Sequence, residues 1–324
     1  CIMNVNNKVE DISNAKAIFE KRKDKMFFYS QCNFLRNVDA STLLNKTVFE
    51  PLFSELESNE SLLLKIIVED EIHYFIVKEL KWDSEYFQLP TFKLQAILFD
   101  HGDVNLLAAA IIFFQKSFFK EHGQYCFTFI PSEDILVLQA LTLAKFKLIE
   151  TRLTYYGANI SNFTSERFDV REATQNDIPN LKRVASMMVN EYDRVHADPA
   201  IDNNLADKFL ATYVEESIKG FADVVLVPNE KSTQPDAFVS ANYLKGSWED
   251  LGCNASQMVL SAVSNTTCKG WYKKLIIEMT HHLKEQGTDY VYFHPASTNR
   301  AVIHTYETLG FKFGQAGHIL SFSN

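Results

Sequence analysis

Lys120-Glu121-His122-Gly123 is followed, eight residues after its glycine, by Pro131; Lys284-Glu285-Gln286-Gly287 is followed, eight residues after its glycine, by Pro295. Each proline closes a strand rich in aromatic residues, Tyr125 to Ile130 in the first case and Tyr290 to His294 in the second. Each strand leads through its proline into a helix that ends at a similar triplet, Phe146-Lys147-Leu148 or Phe311-Lys312-Phe313, and a last strand follows in both. Upstream the correspondence persists as strand-turn-strand signals, at Leu62 to Val68 and Ile72 to Leu80, and again at Ala222 to Val227 and Ala237 to Leu244. The chain reads as two copies of one α/β unit, offset by about 164 residues.

The polar stretch Asn159 to Glu166 lies between the strand Leu148 to Tyr156 and the apolar pattern that resumes at Phe168, which puts the boundary near 162: one domain over 1–162, a second over 163–324. Helices alternate with strands, so the sheet has some parallel pairing and helical cover. Residues 272–286 show the helical pattern: Tyr272, Leu275, Ile276, Met279 and Leu283 share one face, with lysines, glutamates and histidines opposite. Residues 1–60 carry no readable signal.

Composition limits the function. With 46% apolar residues in 324, there is enough material for two cores. Thirty-two basic against 41 acidic residues give a formal charge of −9, so there is no overall field to hold a phosphate backbone, and no nucleic-acid partner is expected. The longest apolar run, Leu106 to Phe114, is too short to span a bilayer, and no basic-then-apolar leader stands at the front. A cytoplasmic protein is the expectation, with Cys1 read as a trimmed start rather than a lipoprotein end. Cys1, Cys32, Cys126, Cys253 and Cys268 are odd in number and form no C-x-x-C, which argues against a disulfide framework and against zinc. His281-His282 has no acidic partner at metal spacing and reads as a solvated pair, so no metal is expected. Cys268 has no paired histidine and reads as inert.

The segment Asn299-Arg300-Ala301-Val302-Ile303-His304-Thr305-Tyr306-Glu307-Thr308-Leu309-Gly310-Phe311 begins with a capping residue after a strand and ends with Gly at a C′ position. Its pattern N-x-x-A/V-x-x-x-Y-x-x-x-G-F resembles the last helix of the GNAT superfamily of acyl-CoA N-acyltransferases. The resemblance implies an α/β (α+β) fold with two GNAT-like domains in tandem, each a mixed, mostly antiparallel sheet flanked by helices. It also implies acyl-CoA as co-substrate, Asn299 on the pantetheine arm and Tyr306 as the acid that protonates the departing thiolate. Spacing alone fits equally a packed core tyrosine, since Val302, Tyr306 and Leu309 share a face.

The family's coenzyme A loop is normally Q/R-x-x-G-x-G/A, and here the slot reads Thr267-Cys268-Lys269-Gly270-Trp271-Tyr272. Only Gly270 fits the pattern. Lys269, Gly270 and Trp271 are nonetheless the candidate contacts, with Lys273 and Lys274 adding charge at a helix N-terminus. The preceding strand, Met258 to Val263, is expected to splay from its neighbour as in that family and to offer backbone N–H groups of Ser261, Ala262 and Val263 to the thioester oxygen. Read without the family, the loop is a turn with solvated lysines.

Tyr192-Asp193-Arg194-Val195-His196-Ala197-Asp198-Pro199, with the helical stretch Leu205 to Ser217, resembles dTDP-fucosamine acetyltransferases and related sugar N-acyltransferases. Trp82-Asp83-Ser84-Glu85-Tyr86-Phe87 is similar to a segment those two-domain proteins carry, although a buried tryptophan and a cap explain it as well. The resemblance implies a dTDP-linked amino sugar as acceptor. Arg194 and His196 suit its pyrophosphate, Tyr192 or Tyr243 its base and Asp198 its hydroxyls; a plain capped H-x-D-P turn is the bland alternative. His294 and Glu249 are candidates for a helping base. In the first copy, Leu141 stands where Tyr306 stands in the second, so the C-terminal copy is read as the catalytic one. A peptide or antibiotic amine as acceptor, a non-catalytic binding module, and a homodimer stay open at this point.

Overall fold

The computed structural model describes residues 2–5, 8–122, 125–188, 191–230, 234–264 and 270–324. Gly123 of the repeat therefore lies outside the described residues, as do Thr267, Cys268 and Lys269 of the loop. The chain divides into two units that interleave in sequence. One takes Cys1–Arg152, Ala197–Ala200 and Gln315–Asn324; the other takes Leu153–His196 and Ile201–Gly314.

In the first unit, β1 (Ile2–Val5), β2 (Leu62–Val68), β3 (Glu71–Glu79) and β4 (Thr91–Leu98) pair antiparallel in order. β4 then pairs parallel with β5 (Tyr125–Pro131). Along β2 and β3 the side chains alternate between two cores, as the twofold period of a strand requires. Leu64, Ile66 and Phe75 face a helix α3 (Val104–His122), where Phe75 and Phe114 stack with centroids 4.9 Å apart. Leu63, Tyr74 and Ile76 face α1 (Val9–Lys21) and α2 (Glu50–Glu57), which bring Phe19, Phe53 and Leu56. The N-terminal residues that gave no sequence signal thus supply the cover of one sheet face. A sheet buried on both sides explains the near-continuous apolar runs here. Trp82, expected to be buried, is 48% exposed and stacks on Tyr86 on a short helix, Lys81–Phe87.

Two long strands close the sheets. After α4 (Ile135–Leu143) comes β6 (Lys147–Gly157), and its Tyr155, Tyr156 and Gly157 pair with Phe293, Tyr292 and Val291 of the second unit's sheet. The chain's final strand pairs along its whole second half with β5: Gly317 meets Pro131 and Ser323 meets Tyr125. Each unit's sheet is therefore completed by a strand from the other half of the sequence.

The second unit's sheet runs β7 (Val170–Glu172), β8 (Val224–Pro228), β9 (Ala237–Asn242), β10 (Ala255–Val263), β11 (Tyr290–Phe293) and the end of β6. All pairs are antiparallel except β10 with β11. One face packs on α5 (Ile178–Met187) and α6 (Asn203–Glu216), through Leu181, Val184 and Val214. The other packs on α7 (Trp271–Glu285) and α8 (Arg300–Thr308). The stripe expected over 272–286 is observed: Leu275, Ile276, Met279 and Leu283 are buried. The opposite face is not fully solvated. Lys284 Nζ donates to the Phe163 carbonyl at 2.8 Å, Arg167 pairs with the buried Glu278, and the edge of Phe163 meets the His281 ring. Residues 163–168 lie across α7, so His281 is 8% exposed rather than solvated as expected. Both units show the mixed, mostly antiparallel sheet with flanking helices that the sequence led us to expect. The β12 (Lys312–Ser323) that ends the chain follows α8.

Candidate active site

A parallel strand pair whose ladder stops early leaves backbone groups on the facing edges unpaired, and β10 and β11 form such a pair. Ala255 meets Tyr290, Ser256 meets Val291 and Gln257 meets Tyr292, and there the parallel register ends. On its other edge β10 continues against β9, with a bulge: Met258 pairs with Ala241 and Ser261 with Val239, so two residues stand opposite Ser240. Ser240 Oγ secures the bulge, accepting from the Leu260 N–H at 3.1 Å and donating to the Leu260 carbonyl at 3.3 Å. The extra residue turns the strand over. Met258 packs on the α7 and α8 side and Ala262 on the α5 and α6 side, although a regular strand would put residues four apart on one face.

Tyr306 points into the region just past the last parallel pair. Its ring stacks on Phe293 at 3.4 Å between centroids and meets the edge of Phe311 at 5.0 Å. Its hydroxyl donates to Met258 Sδ at 3.3 Å, and the nearby Tyr272 phenol adds to the cost of ionising it. Tyr306 is 2% exposed, and burial pushes its phenol well above the usual tyrosine range. Tyr272 is pushed up to about 12 by the same cause. Both phenols hold their protons at neutral pH and can act as donors. The Tyr306 ring is packed in the core, as the spacing allows, and its hydroxyl rests on Met258 Sδ.

Asn299 is the N-cap of α8, its side-chain oxygen accepting from the Val302 N–H at 3.4 Å. The amide N–H2 is the part left to serve a ligand. Gly270 is the N-cap of α7, with φ +89°, a conformation that disfavours any side chain. The orphan N–H groups of the first turn of α7 therefore begin beside it. A cavity of about 880 Å³ runs along this helix start, lined among others by Gly270, Lys273, Lys274, Leu309, Gly310 and Phe311. Lys274 Nζ sits 5.0 Å over Trp271 and 5.2 Å over Phe168. Trp271 is buried, its indole N–H donating to Glu230 at 2.9 Å. Lys273 and Lys274 bring positive charge to this part of the cavity wall, with Glu166 also on the lining.

The acceptor candidates divide. Tyr192 is 58% exposed. His196 is held between two carboxylates, Asp193 at 2.8 Å on Nδ1 and Asp207 at 3.2 Å on Nε2, while Asp193 also caps the N–H groups of Val195 and His196. Arg194 is half-buried. Asp198 belongs to the first unit and is 1% exposed; its carboxylate accepts from Ser321, from Lys147 at 3.4 Å and from the Ala200 N–H at 3.1 Å. Tyr243 follows Asn242, which pairs with Gln257, so it stands at the fully paired end of β10. There its hydroxyl meets His282 Nε2 at 2.8 Å, and Lys245 lies over its ring. It does not converge with Tyr306. Glu249 is exposed on a short helix ahead of β10, and His294 at the end of β11 bonds Thr154 at 2.9 Å through Nδ1. Met258, Phe293 and Tyr272 were not singled out by sequence reasoning; Tyr272 stood out only as the residue that breaks the loop pattern.

No protein-family model matches the chain, and no curated protein matches it in sequence. Solved structures do. A GCN5-related N-acetyltransferase from Sphaerobacter thermophilus is 11% identical, with 99% of this chain and 95% of that one covered and a TM-score of 0.58. A GCN5-related glucosamine N-acetyltransferase region of a fungal multi-domain β-N-acetylglucosaminidase gives 0.60 at 10% identity, covering 99% of this chain and 38% of the other. A tandem GNAT protein from the clavulanic acid biosynthesis pathway gives 0.50 at 8% identity, with 99% and 98% covered. At these identities the likeness is one of fold, and the fold is that of the GNAT acetyltransferases in tandem.

Proposed function

We propose that this chain is an acyl-CoA-dependent N-acyltransferase whose acceptor is the amine of a dTDP-linked amino-dideoxyhexose. The observation that carries the reading is the buried Tyr306 hydroxyl, held 3.3 Å from Met258 Sδ just past the point where the β10–β11 ladder ends. A donor fixed next to unpaired strand edges is what acyl transfer from a thioester needs. Acyl-CoA supplies the activated acyl group. Gly270, Trp271 and the N–H groups at the start of α7 hold its phosphates, with Lys269, Lys273 and Lys274 supplying charge and the Asn299 amide steadying the pantetheine arm. The Ser264 N–H donates to the Asp236 carbonyl across from β10, so by strand alternation the Ala262 N–H also faces β9. It is the N–H groups of Ser261 and Val263 that face away and steady the charge that develops on the carbonyl oxygen. The sugar amine attacks directly within a ternary complex, and Tyr306 delivers a proton to the departing sulfur. An amine with a pKa of about 8 is roughly one tenth neutral at pH 7, so no strong base is required.

For the acceptor, Tyr192 is the exposed aromatic surface that suits a base, and Arg194 the cation that suits a pyrophosphate. His196 and Asp198 support that segment through the contacts above. The acceptor reading rests on the likeness of the Tyr192 to Pro199 segment to sugar N-acyltransferases. Its test is thiol release from acetyl-CoA with a dTDP-linked amino-dideoxyhexose, compared with a lysine peptide and an aminoglycoside. Turnover with the nucleotide sugar alone is expected; turnover with the peptide or aminoglycoside instead would overturn the acceptor assignment and keep the acyltransferase.

A further inference from the structure

The cavity of about 880 Å³ has two walls of different kinds. One is helical, with Gly270 and Lys274 from the start of α7 and Phe311 from just past α8. The other is the polar stretch that follows β6, where Phe163, Glu166 and Phe168 line the space. Residues 163–168 belong to no strand or helix, so side chains elsewhere must hold them in place. Those side chains lie on α7. Lys274, Glu278, His281 and Glu285 recur at i, i+4, i+7 and i+11, a second stripe beside the apolar one. Lys274 stands over the Phe168 ring, and Glu278 accepts from the Phe168 N–H and from Arg167 Nε at 3.2 Å. His281 Nε2 donates to the Ser165 carbonyl at 3.2 Å, and Glu285 accepts from Arg167 Nη1 at 3.3 Å. With Lys284 on the Phe163 carbonyl, residues 163–168 run antiparallel to α7 as a strap. Glu278 is its hub: 2% exposed, it takes both the Arg167 side chain and the Phe168 backbone.

Resting on the acyltransferase reading above, we infer that Glu278 sets the affinity for the adenosine end of acyl-CoA, by latching residues 163–168 to α7 as the outer wall of the cavity that receives it. With the phosphates at Gly270, the adenosine beyond them falls in the adjoining space, and the volume suits a ligand of that size. Phe163 and Phe168 bring aromatic surface for a base, and Lys273 and Lys274 bring charge for a ribose phosphate. Glu166 opposes phosphate, but it accepts hydrogen bonds from the amine or hydroxyl groups of a nucleoside. No covalent bond changes, so the strap acts on binding alone. A ligand that needs the strap seated has an apparent Kd that rises in inverse proportion to the fraction seated. Glu278 is a positioning residue, since it acts on the ligand through Arg167 and Phe168.

The experiment compares the whole wild-type protein with Glu278→Gln and Lys284→Met. Each is titrated calorimetrically with coenzyme A and with adenosine 3′,5′-bisphosphate, the nucleotide end alone, and is assayed for thiol release from acetyl-CoA with a dTDP-linked amino-dideoxyhexose. Glu278→Gln keeps the side chain's size and removes the charge that holds Arg167. A strap then seated about a tenth of the time raises Kd for both ligands about tenfold. The KM for acetyl-CoA should rise with it, while kcat stays within about twofold. Lys284→Met, which frees the far end of the strap, should raise both Kd values about threefold. A merely structural role would lower kcat and melting temperature along with affinity. Coenzyme A Kd values unchanged in both variants, or a kcat that falls with affinity, would overturn the latch and keep the acyltransferase. A wild-type protein that binds coenzyme A but not the bisphosphate would overturn the latch as well. A wild-type protein that binds no coenzyme A would overturn the acyltransferase reading and the latch with it.

Discussion

Past its third parallel pair, Lys93 with Phe127, the first unit is stitched shut: Thr128 Oγ1 donates to the Leu94 carbonyl at 2.8 Å. Past its own third pair, Gln257 with Tyr292, the second unit has Met258 and Phe293 at the matching positions, and these flank Tyr306. Further along the first unit, Arg22 bridges the strand ends. It donates to the Ile97 carbonyl at 2.6 Å and to Asp134 at 2.7 Å, lies 4.0 Å over Phe99, and shares Asp134 with the Tyr29 hydroxyl at 2.7 Å. Asp134 stands just ahead of α4 as Asn299 stands just ahead of α8, and Leu141 of the first core takes the place of Tyr306. One scaffold thus supports two outcomes. At matching places one unit holds an ion pair and an aliphatic core and the other a buried phenol beside a thioether, and the proposed chemistry is assigned to the second.

The sharpest break between the units is expected at Tyr306. Tyr306→Phe keeps the stacking on Phe293 and removes the donor, so turnover should fall by roughly 10²- to 10⁴-fold if general acid catalysis operates. That is about 2.7 to 5.5 kcal/mol of transition-state stabilisation. Melting temperature should hardly change, which a thermal scan checks. Asp134→Ala should do the reverse. Removing one partner of a buried pair leaves Arg22 uncompensated and costs about 3 to 5 kcal/mol in urea unfolding. Turnover per folded molecule should be unaltered, and a large loss of turnover would show that the first unit takes part in the chemistry.

Smaller effects refine the contrast. His73, with its Nε2 2.8 Å from His101 Nε2, is buried, and desolvation followed by the neighbouring imidazole lowers it to about 4. The unfolded chain binds this proton near pH 6.5 and the folded chain only near 4, so stability should fall as pH drops through that window and level off below it. The loss is of order 3 kcal/mol at most. His73→Gln should flatten the urea midpoint between pH 6.5 and 4; a midpoint just as steep would place the titration elsewhere. Gly270→Ala forces a side chain into φ +89° and should cost about 1 kcal/mol of stability. The same change tilts the first N–H groups of α7, so coenzyme A affinity should weaken about fivefold in a calorimetric titration.

The repeated Lys-Glu-x-Gly and proline spacing was enough to read two α/β units, because turn chemistry and strand endings are local. The stripe of Leu275, Ile276, Met279 and Leu283 likewise announced α7. The exchange of final strands was not legible, since a β-strand's alternation says which face is buried and not which neighbour it pairs with. The cover of α7 by residues 163–168 was missed for a similar reason: charged and histidine residues look solvated until a partner segment arrives. The helix that carries Tyr306, with Asn299 as its cap, was readable from one motif. Met258 and Phe293 were not, because they meet Tyr306 only once strands and helix have packed, a relation with no sequence period.

The central claim, one scaffold twice with a single working slot, is tested most directly by the stoichiometry of coenzyme A in isothermal titration, followed by dTDP. One coenzyme A per chain is expected, unaffected by Leu141→Ala and weakened by Gly270→Ala, with dTDP binding as well. Two equivalents per chain, or one equivalent that Gly270→Ala leaves untouched, would contradict the division of labour. No binding at all would remove the acyltransferase reading and leave a scaffold.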